Sequence, residues 1–326
     1  MAEWWVEEGI GETRAILIEA GRIAEAVIEL PETLPAGTIL PARLARILVP
    51  GRRGLLLLPD GGEAIVEPLP PGVTEGQTFP AEIVREPIPE AGRPKRALCR
   101  PGAESMREGP RLRARLPGAR LHGNCGPDRF ENAGWTELLE EAASGEITFS
   151  GGALRMSVTP AMTLFDVDGI LPPAALAVAG AEAAARAIRR MGIGGSIGID
   201  LPTLPGKAER QAAAAALDAA LPQPFERTAV NGFGFLQVVR RRTRASLPEL
   251  LQSDPAGAAA RALLRQAEWA RGTGERTLAA APSVIARMES RPNWLDALAR
   301  RIGAPVALRP EPGLAISAGH VHARQS

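Results

Sequence analysis

The run LFDVDGIL, Leu164 to Leu171, places two carboxylates at the end of an apolar segment in the middle of the chain. The residues MTLFDVDG predict a β-strand, and Pro172 to Arg190 predict a helix with proline in its first turn. Asp166 and Asp168 would then stand where the strand ends. Open α/β sheets bind ligands at the carboxyl ends of their strands, so both aspartates are candidate site residues.

The same unit continues with a second strand that carries an aspartate. The run SIGIDL contains Asp200, residues 206–221 predict an Ala-rich helix, and GFGFLQVVRRR predicts a third strand. This β-α-β-α-β order predicts an α/β fold, α+β overall, with a mainly parallel sheet and covering helices. If the first two strands pair, Asp166 and Asp200 lie about 4.8 Å apart, and a divalent cation would relieve their repulsion. All-oxygen ligation suits Mg²⁺, while an aspartate after a strand also commonly forms a turn or caps a helix.

Composition narrows the functional classes. The 326 residues leave room for two or three sub-domains, and 38 basic residues against 37 acidic ones exclude a global polycation but allow a local basic groove. Cys99 and Cys125 stand alone, which argues against a disulfide scaffold and a zinc knuckle. The start MAEWWVEEG has no apolar core of a secretory signal, and the most apolar helical stretch is interrupted by Glu182. We therefore expect a cytoplasmic protein with no membrane partner.

The remaining segments divide by their patterns. Residues 4–30 predict short strands with a hairpin at Ala20-Gly21, and residues 37–100 predict strands at the spacing of a small barrel. Residues 86–120 are rich in Pro, Gly and Arg and predict a loop or linker. The tail predicts helices at 257–271 and 282–302 and then a strand-like end. The His320-x-His322 pair is expected in a mobile terminus and is assigned no role.

Two enzyme classes use a run close to LFDVDGIL. The aspartyl-phosphate phosphatases place their nucleophile in a D-x-D-G run, but they also need a later acidic pair for Mg²⁺. After Asp168 the aspartates are isolated, and Ile170 stands where those enzymes have threonine. These partner residues argue against a phosphatase, which stays as the less favoured alternative.

The second class matches more of the chain. Eight runs carry the match, in chain order. The first four are GETRAILIEAGRIAEAVIE, GTILPARLARILVP, GQTFPAEIVREPI and GRPKRAL. The other four are the run from Trp135 to Gly169, GGSIGIDLPTL, NGFGFLQVVRRR and DALARRIGAPVALRPEPGL. In this order and spacing the chain resembles the RNase E/G family of endoribonucleases. The resemblance implies an RNase H-like subdomain begun by residues 1–36, an inserted OB-fold barrel at 37–100, a linker and the rest of that subdomain at 101–160, a DNase I-like catalytic subdomain at 161–246 and a small C-terminal α/β domain at 247–326.

The resemblance also implies a function in RNA processing, the Mg²⁺-dependent hydrolysis of phosphodiester bonds in single-stranded RNA. Asp166 and Asp200 match the two carboxylates that hold the metal. Asp168 falls where the family usually has the asparagine that orients the attack, and we expect all three to be catalytic. Expected RNA contacts are Arg93, Lys95 and Arg96, with Arg43 and Arg46 as further candidates. A homodimer through the catalytic subdomain is a possible assembly.

The chain also departs from the family pattern. The segment that would sense a 5′-monophosphate is much shorter, and Gly232 replaces an arginine linked to that sensing. No Cys-x-x-Cys follows Leu247, so neither zinc nor zinc-bridged assembly is expected. In the barrel, Leu55 and Ile65 stand where stacking phenylalanines are usual, which predicts weak RNA affinity because base stacking contributes about 1–3 kcal/mol per base. A non-catalytic RNA-binding protein on the same scaffold therefore remains an alternative.

Overall fold

The N-terminal residues form a four-stranded sheet. The computed structural model of the protein describes residues 2–90, 92, 94–103, 105–123, 126–272 and 274–323. Strands β1 (Glu3–Glu8), β2 (Thr13–Glu19) and β3 (Arg22–Glu29) pair antiparallel, and a short later strand joins at the edge of β1. Ala20 and Gly21 both have positive φ, at 50° and 79°. Two positive φ angles are what a two-residue hairpin turn requires, so the predicted hairpin is confirmed.

Residues 39–101 form a closed five-stranded barrel. Its strands are β4 (Ile39–Val49), β5 (Arg53–Leu57), β6 (Glu63–Val66), β7 (Thr78–Arg85) and β8 (Ala97–Pro101), in the order β4-β5-β6-β8-β7. The pair β6–β8 is parallel and the others are antiparallel. Alternate residues such as Leu44, Leu56 and Ile83 point into the barrel core. The barrel is OB-like, and burial within it raises the pKa of Cys99 to about 12.

The residues predicted to form a loop or linker, 86–120, contain regular secondary structure, as do the residues that follow them up to 135. Strand β8 lies inside the predicted loop at 86–120 and bonds to both β6 and β7. Further on are α1 (Leu112–Arg115), β9 (Arg120–Leu121), which joins β1 in parallel, and α2 (Arg129–Asn132). The Pro and Gly residues that suggested a linker lie between these short elements, whose stability depends on long-range partners.

A six-stranded sheet holds the predicted catalytic strands. Helix α3 (Trp135–Ser144) precedes the hairpin β10 (Glu146–Phe149) and β11 (Gly152–Val158), and then follow β12 (Thr163–Gly169), α4 (Pro173–Arg190) and β13 (Gly195–Asp200). Helix α5 (Lys207–Ala220), β14 (Glu226–Arg227) and β15 (Phe235–Arg240) complete the unit, in the strand order β10-β11-β12-β13-β15-β14. Strands β10 and β11, which the sequence assigned to 101–160, thus share one sheet with β12.

The prediction of a mainly parallel sheet is wrong. Only β12 and β13 pair in parallel, and the other four pairs are antiparallel. The chain does return after α5 in the parallel direction, but as the two-residue edge strand β14. A tight turn at residues 231–234 then reverses it, so β15 inserts antiparallel between β14 and β13.

Helix α4 covers one face of this sheet. Phe165 and Val167 of β12 are buried beneath it, and a Cβ on Gly180 would lie only 2.4 Å from Val167 Cγ1. The glycine therefore allows the helix to approach the strand closely. The opposite face of β12 carries Asp166 and Asp168, both exposed to solvent.

The C-terminal part packs helices on a three-stranded sheet. Its elements are α6 (Leu247–Ser253), α7 (Pro255–Trp269), β16 (Arg276–Ala280), α8 (Pro282–Glu289), α9 (Pro292–Ile302), β17 (Val306–Pro310) and β18 (His320–Ala323), and the strand order is β17-β16-β18. The predicted single helix at 282–302 is two helices, because Pro292 cannot continue α8 and instead begins α9. The expectation of a mobile end at His320 and His322 is also wrong, since both lie in β18, antiparallel to β16. None of the helices in the described ranges is long and apolar enough to cross a membrane.

Candidate active site

Four side chains form a row across the open face of the six-stranded sheet. Arg155 on β11 is in register with Asp166 on β12, Asp166 with Asp200 on β13, and Asp200 with Phe235 on β15. Residues directly opposite each other on neighbouring strands point to the same face. We call these four residues the carboxylate row. The strand register therefore places Asp166 and Asp200 side by side, as expected from the sequence.

The two aspartates of the row are exposed and carry uncompensated charge. Within the described residues, neither the Asp166 nor the Asp200 carboxylate takes part in a hydrogen bond or an ion pair. The strand register places the backbones of these two residues about 5 Å apart, and two like charges on such neighbouring residues repel, while water and salt screen part of the repulsion. A cation between them would remove this repulsion. Mg²⁺ usually keeps several waters and takes only one or two protein carboxylates, so the donor set fits that ion.

Asp168 stands apart from this pair. It lies two residues beyond Asp166, about 6.6 Å along the strand, in register with Ala153. Its Oδ2 is 3.8 Å from Nη1 of Arg155. Among the described residues, the three-residue group whose ligand atoms all lie within 4.8 Å of one another does not include these aspartates. The structure thus brings Asp166 and Asp200 together and places Asp168 beside a cation.

Sequence reasoning missed Arg155. Its side chain is exposed between buried Leu154 and Met156, an alternation visible in the run GALRMSV. The alternation assigns Arg155 to the solvent face, but only the pairing of β11 with β12 shows that it stands beside Asp166. Its contacts to Asp168 and to Glu146, at 3.6 Å, are long and exposed. Such pairs contribute little, so the guanidinium remains available to a phosphate.

The predicted RNA contacts on the barrel fall into two groups. Arg43 and Arg46 are exposed on β4, and Arg46 is in register with Leu55, which is itself paired with Ile65. These residues lie on the outer surface of the first three strands, the region through which OB-folds bind oligonucleotides. Phe79 packs partly buried against the barrel core and offers little ring surface for stacking.

The second group makes contacts within the protein. Lys95 pairs with Glu90 and donates a hydrogen bond to the carbonyl oxygen of Pro160 at 3.0 Å, in the turn that leads into β12. Arg96 pairs with Glu63 at 2.6 Å. Lys95 therefore connects the barrel to the six-stranded sheet. Arg93 lies outside the described residues.

A second cluster of possible metal ligands consists of Glu7, His122 and Asp128. His122 Nε2 lies 3.5 Å from Asp128 Oδ1 and 3.8 Å from Glu7 Oε2. However, Arg265 donates to both carboxylates, at 3.0 Å to Glu7 Oε1 and 2.6 Å to Asp128 Oδ1, and Arg14 donates to Glu7 at 2.8 Å. Two guanidinium groups already neutralise this cluster and would repel a divalent cation. We assign it a structural role.

The charges around Asp128 are strongly coupled. Burial alone would raise the pKa of Asp128, but the facing His122 imidazole and the Arg265 guanidinium outweigh it and hold the pKa well below its ordinary value. The imidazole is stacked between Phe130 and Trp269, with ring centroids 5.4 and 5.1 Å away. This packing keeps His122 and Asp128 in place beneath the N-terminal sheet.

Comparison with known proteins adds no family. Neither the known protein families nor the curated proteins contain a match to this sequence.

Proposed function

We propose that the protein is a Mg²⁺-dependent endoribonuclease that hydrolyses phosphodiester bonds in single-stranded RNA. The observation that carries the proposal is the register of Asp166 with Asp200, two exposed carboxylates on adjacent parallel strands that have no ion-pair partner among the described residues. Two like charges on neighbouring residues destabilise the fold unless a cation or a cationic group of a substrate binds between them. Proteins usually keep such unfavourable arrangements at functional sites.

Three residues of the row, together with Asp168, have roles in this proposal. Asp166 and Asp200 would hold the metal, and Arg155 binds a phosphate oxygen of the RNA. The metal, when bound, supplies charge stabilisation at the scissile phosphate and lowers the pKa of the attacking water. Asp168 orients the attack from the next position along the strand, and its charge is offset by Arg155. The products are a 3′-hydroxyl and a 5′-phosphate.

The wider assignment rests on the resemblance to the RNase E/G family. It makes the four-stranded sheet part of an RNase H-like subdomain, the six-stranded sheet a DNase I-like subdomain, and the OB-like barrel the platform that holds the RNA. In this assignment the enzyme acts in the cytoplasm, as a homodimer through the six-stranded sheet, without zinc. Gly232 and the short segment after the barrel support cleavage that does not depend on a 5′-monophosphate.

The test is cleavage of a fluorescent single-stranded RNA with Mg²⁺ or EDTA by the wild type and by Asp166→Asn and Asp200→Asn variants. We expect Mg²⁺-dependent cleavage that both substitutions abolish. Asp218→Asn is the matched control, because Asp218 is an exposed aspartate on α5 that pairs with Arg227, and Arg227 is in register with buried Val238, on the face of the sheet opposite to the row. If the wild type cleaves no RNA in Mg²⁺, or if both variants cleave as well as the control, the proposal is wrong.

The non-catalytic alternative has one observation in its favour. The third carboxylate, Asp168, does not converge with the other two. RNA binding without cleavage in all samples, unchanged by EDTA, would select that alternative.

A further inference from the structure

Two apolar side chains are almost fully exposed near the carboxylate row. Ile170 is 94% exposed and Phe233 is 82% exposed, the two highest values among the large hydrophobic residues that the structure describes. Burying an apolar side chain of this size typically stabilises a protein. Neither residue gains this from folding, so each is available to a partner.

The turn that carries Phe233 is rigid. Asn231 Oδ1 accepts hydrogen bonds from the backbone N–H groups of Phe233, at 2.9 Å, and Phe235, at 3.0 Å. Gly234 has φ of 95°, and its carbonyl oxygen accepts from the N–H of Leu201, the residue after Asp200, at 3.3 Å. The backbone of the turn is thus bonded to the end of β13, and it presents the Phe233 side chain to solvent.

The pairing of the strands places Phe233 close to Asp166 and Asp200, the proposed metal ligands. It precedes Phe235, a member of the row, by two residues, a backbone separation of at most about 7 Å. Ile170 follows Asp168 by two residues, past the end of β12, and its N–H donates to the Gly151 carbonyl oxygen at 3.0 Å. Because β12 and β13 are parallel and β15 is antiparallel to β13, both apolar groups lie beyond the same edge of the sheet, past the carboxyl ends of β12 and β13.

From this arrangement we infer that Phe233 is a substrate-binding residue on which an unpaired nucleobase next to the scissile phosphate stacks, with Ile170 contacting a second base. The inference rests on the proposed function, because the row defines where the phosphate lies. A protein partner would need a contiguous apolar patch, whereas these are two single side chains on different strands, with the end of β13 and its Asp200 between them. Nucleobases present isolated apolar faces joined by phosphates, which matches single apolar side chains beside a pair of carboxylates. A base held in a duplex has no free face, so the site selects unpaired RNA.

The experiment compares Phe233→Ala, Phe233→Trp and Ile170→Ala with the wild type. Val239→Ala is the matched control, because Val239 is a 47% exposed apolar residue further along β15. The probes are a short fluorescein-labelled single-stranded RNA with a mapped cleavage position and versions in which one nucleotide flanking that position lacks its base. Cleavage gives kcat and KM, and fluorescence anisotropy in EDTA gives affinity.

Base stacking of about 1–3 kcal/mol corresponds to about 5- to 150-fold in affinity. We expect Phe233→Ala to raise KM within this range with kcat less affected, Phe233→Trp to retain activity, and Val239→Ala to behave as the wild type. Removing one flanking base should weaken the wild type by a similar factor and have little further effect in Phe233→Ala. If the losses from base removal and from Phe233→Ala instead multiply, the ring and the base act independently and the inference is wrong.

The same experiment separates this inference from the proposed function. If the wild type does not cleave, the nuclease proposal fails, and anisotropy then decides on stacking. Weaker RNA binding by Phe233→Ala but not by Val239→Ala would retain Phe233 as a nucleobase contact. Equal binding by the two variants would overturn it. Because Phe233 is exposed, we expect the thermal unfolding midpoint of Phe233→Ala to equal that of the wild type, which excludes misfolding as the cause.

Discussion

Arg155 distinguishes the carboxylate row from an ordinary polar sheet face, since it places a weakly paired cation next to two unpaired anions. If Arg155 binds RNA phosphate, its removal should reduce the salt dependence of binding. We expect Arg155→Gln to lower the slope of log affinity against log salt by about 0.7, the contribution of one phosphate contact on a single strand. Anisotropy measured over a series of KCl concentrations gives this slope. Arg186→Gln on α4, whose arginine is also exposed and pairs with Glu182, should leave the slope unchanged, and an equal slope in both variants would exclude the contact.

Asp128 makes the stability of the protein depend on pH. Its pKa is lower in the folded protein than in the unfolded chain, so its pairing contributes stability that is fully present above about pH 4 and is lost as the pH falls through the folded pKa. We expect Asp128→Asn to reduce the free energy of unfolding by about 3 kcal/mol at pH 7, because it removes one partner of a largely buried pair. The difference from the wild type should shrink towards pH 2.

Urea unfolding at pH 7 and in steps below pH 4 measures this. Asp218→Asn is the control, because the pKa of Asp218 is also lowered, by its hydrogen bonds with Arg227, but the pair is more exposed. Its cost should stay within about 1 kcal/mol. A constant difference between Asp128→Asn and the wild type across the whole pH range would contradict the prediction.

At the scale of elements, the turn at residues 231–234 sets the direction of β15 and the position of the Phe233 ring. A Cβ on Gly234 would lie 2.2 Å from the Leu201 carbonyl oxygen, at a φ that other residues rarely adopt. We expect Gly234→Ala to cost about 1–3 kcal/mol and to lower RNA cleavage, because the turn must move away from β13. In contrast, a Cβ on Gly232 meets open space. Gly232→Ala should therefore match the wild type in thermal unfolding and cleavage, and equal effects of the two substitutions would disprove this account.

The same turn marks the limit of what the sequence could predict about the six-stranded sheet. Helices α4 and α5 were predictable because their Ala-rich sequences, and in α4 also the proline of the first turn and the two terminal arginines, are local signals. The neighbouring positions of Asp166 and Asp200 followed from a single β-α-β unit. The direction of β15 did not, because it depends on the hydrogen bonds that the Asn231 side chain accepts from Phe233 and Phe235 and on the contact of Gly234 with Leu201. Arg155 was missed for a related reason, since alternation indicates which face a residue occupies but not which strand lies beside it.

At the scale of the whole molecule, buried ion pairs connect the two ends of the chain. Glu12 accepts from Arg261 of α7 at 2.8 Å, and Glu7 of β1 accepts from Arg265 of the same helix at 3.0 Å. All four side chains are nearly inaccessible to solvent. Removing one partner of such a pair strongly destabilises the fold, because the other charge stays buried without a partner. The N-terminal sheet and the C-terminal helices thus form one framework, whereas the barrel is inserted into it.

The chain enters and leaves the barrel at adjacent positions. Ile39 and Arg107 exchange backbone hydrogen bonds of 2.9 and 3.1 Å, so replacing residues 39–107 by a short glycine linker bridges a small gap, and insertions with adjacent ends are generally separable. We expect the shortened protein to fold, as measured by circular dichroism, although it loses the Lys95–Pro160 contact, the Arg115–Glu86 ion pair and the hydrogen bond from the Glu86 N–H to the Thr243 carbonyl oxygen. Arg115 keeps its ion pair with Glu29. It should retain Mg²⁺-dependent cleavage with a raised KM, because the carboxylate row remains while the barrel surface around Arg43 and Arg46 is gone. A folded variant with unchanged KM would show that the barrel does not hold the RNA, and a folded variant without any cleavage would show that the barrel contributes to the chemical step itself.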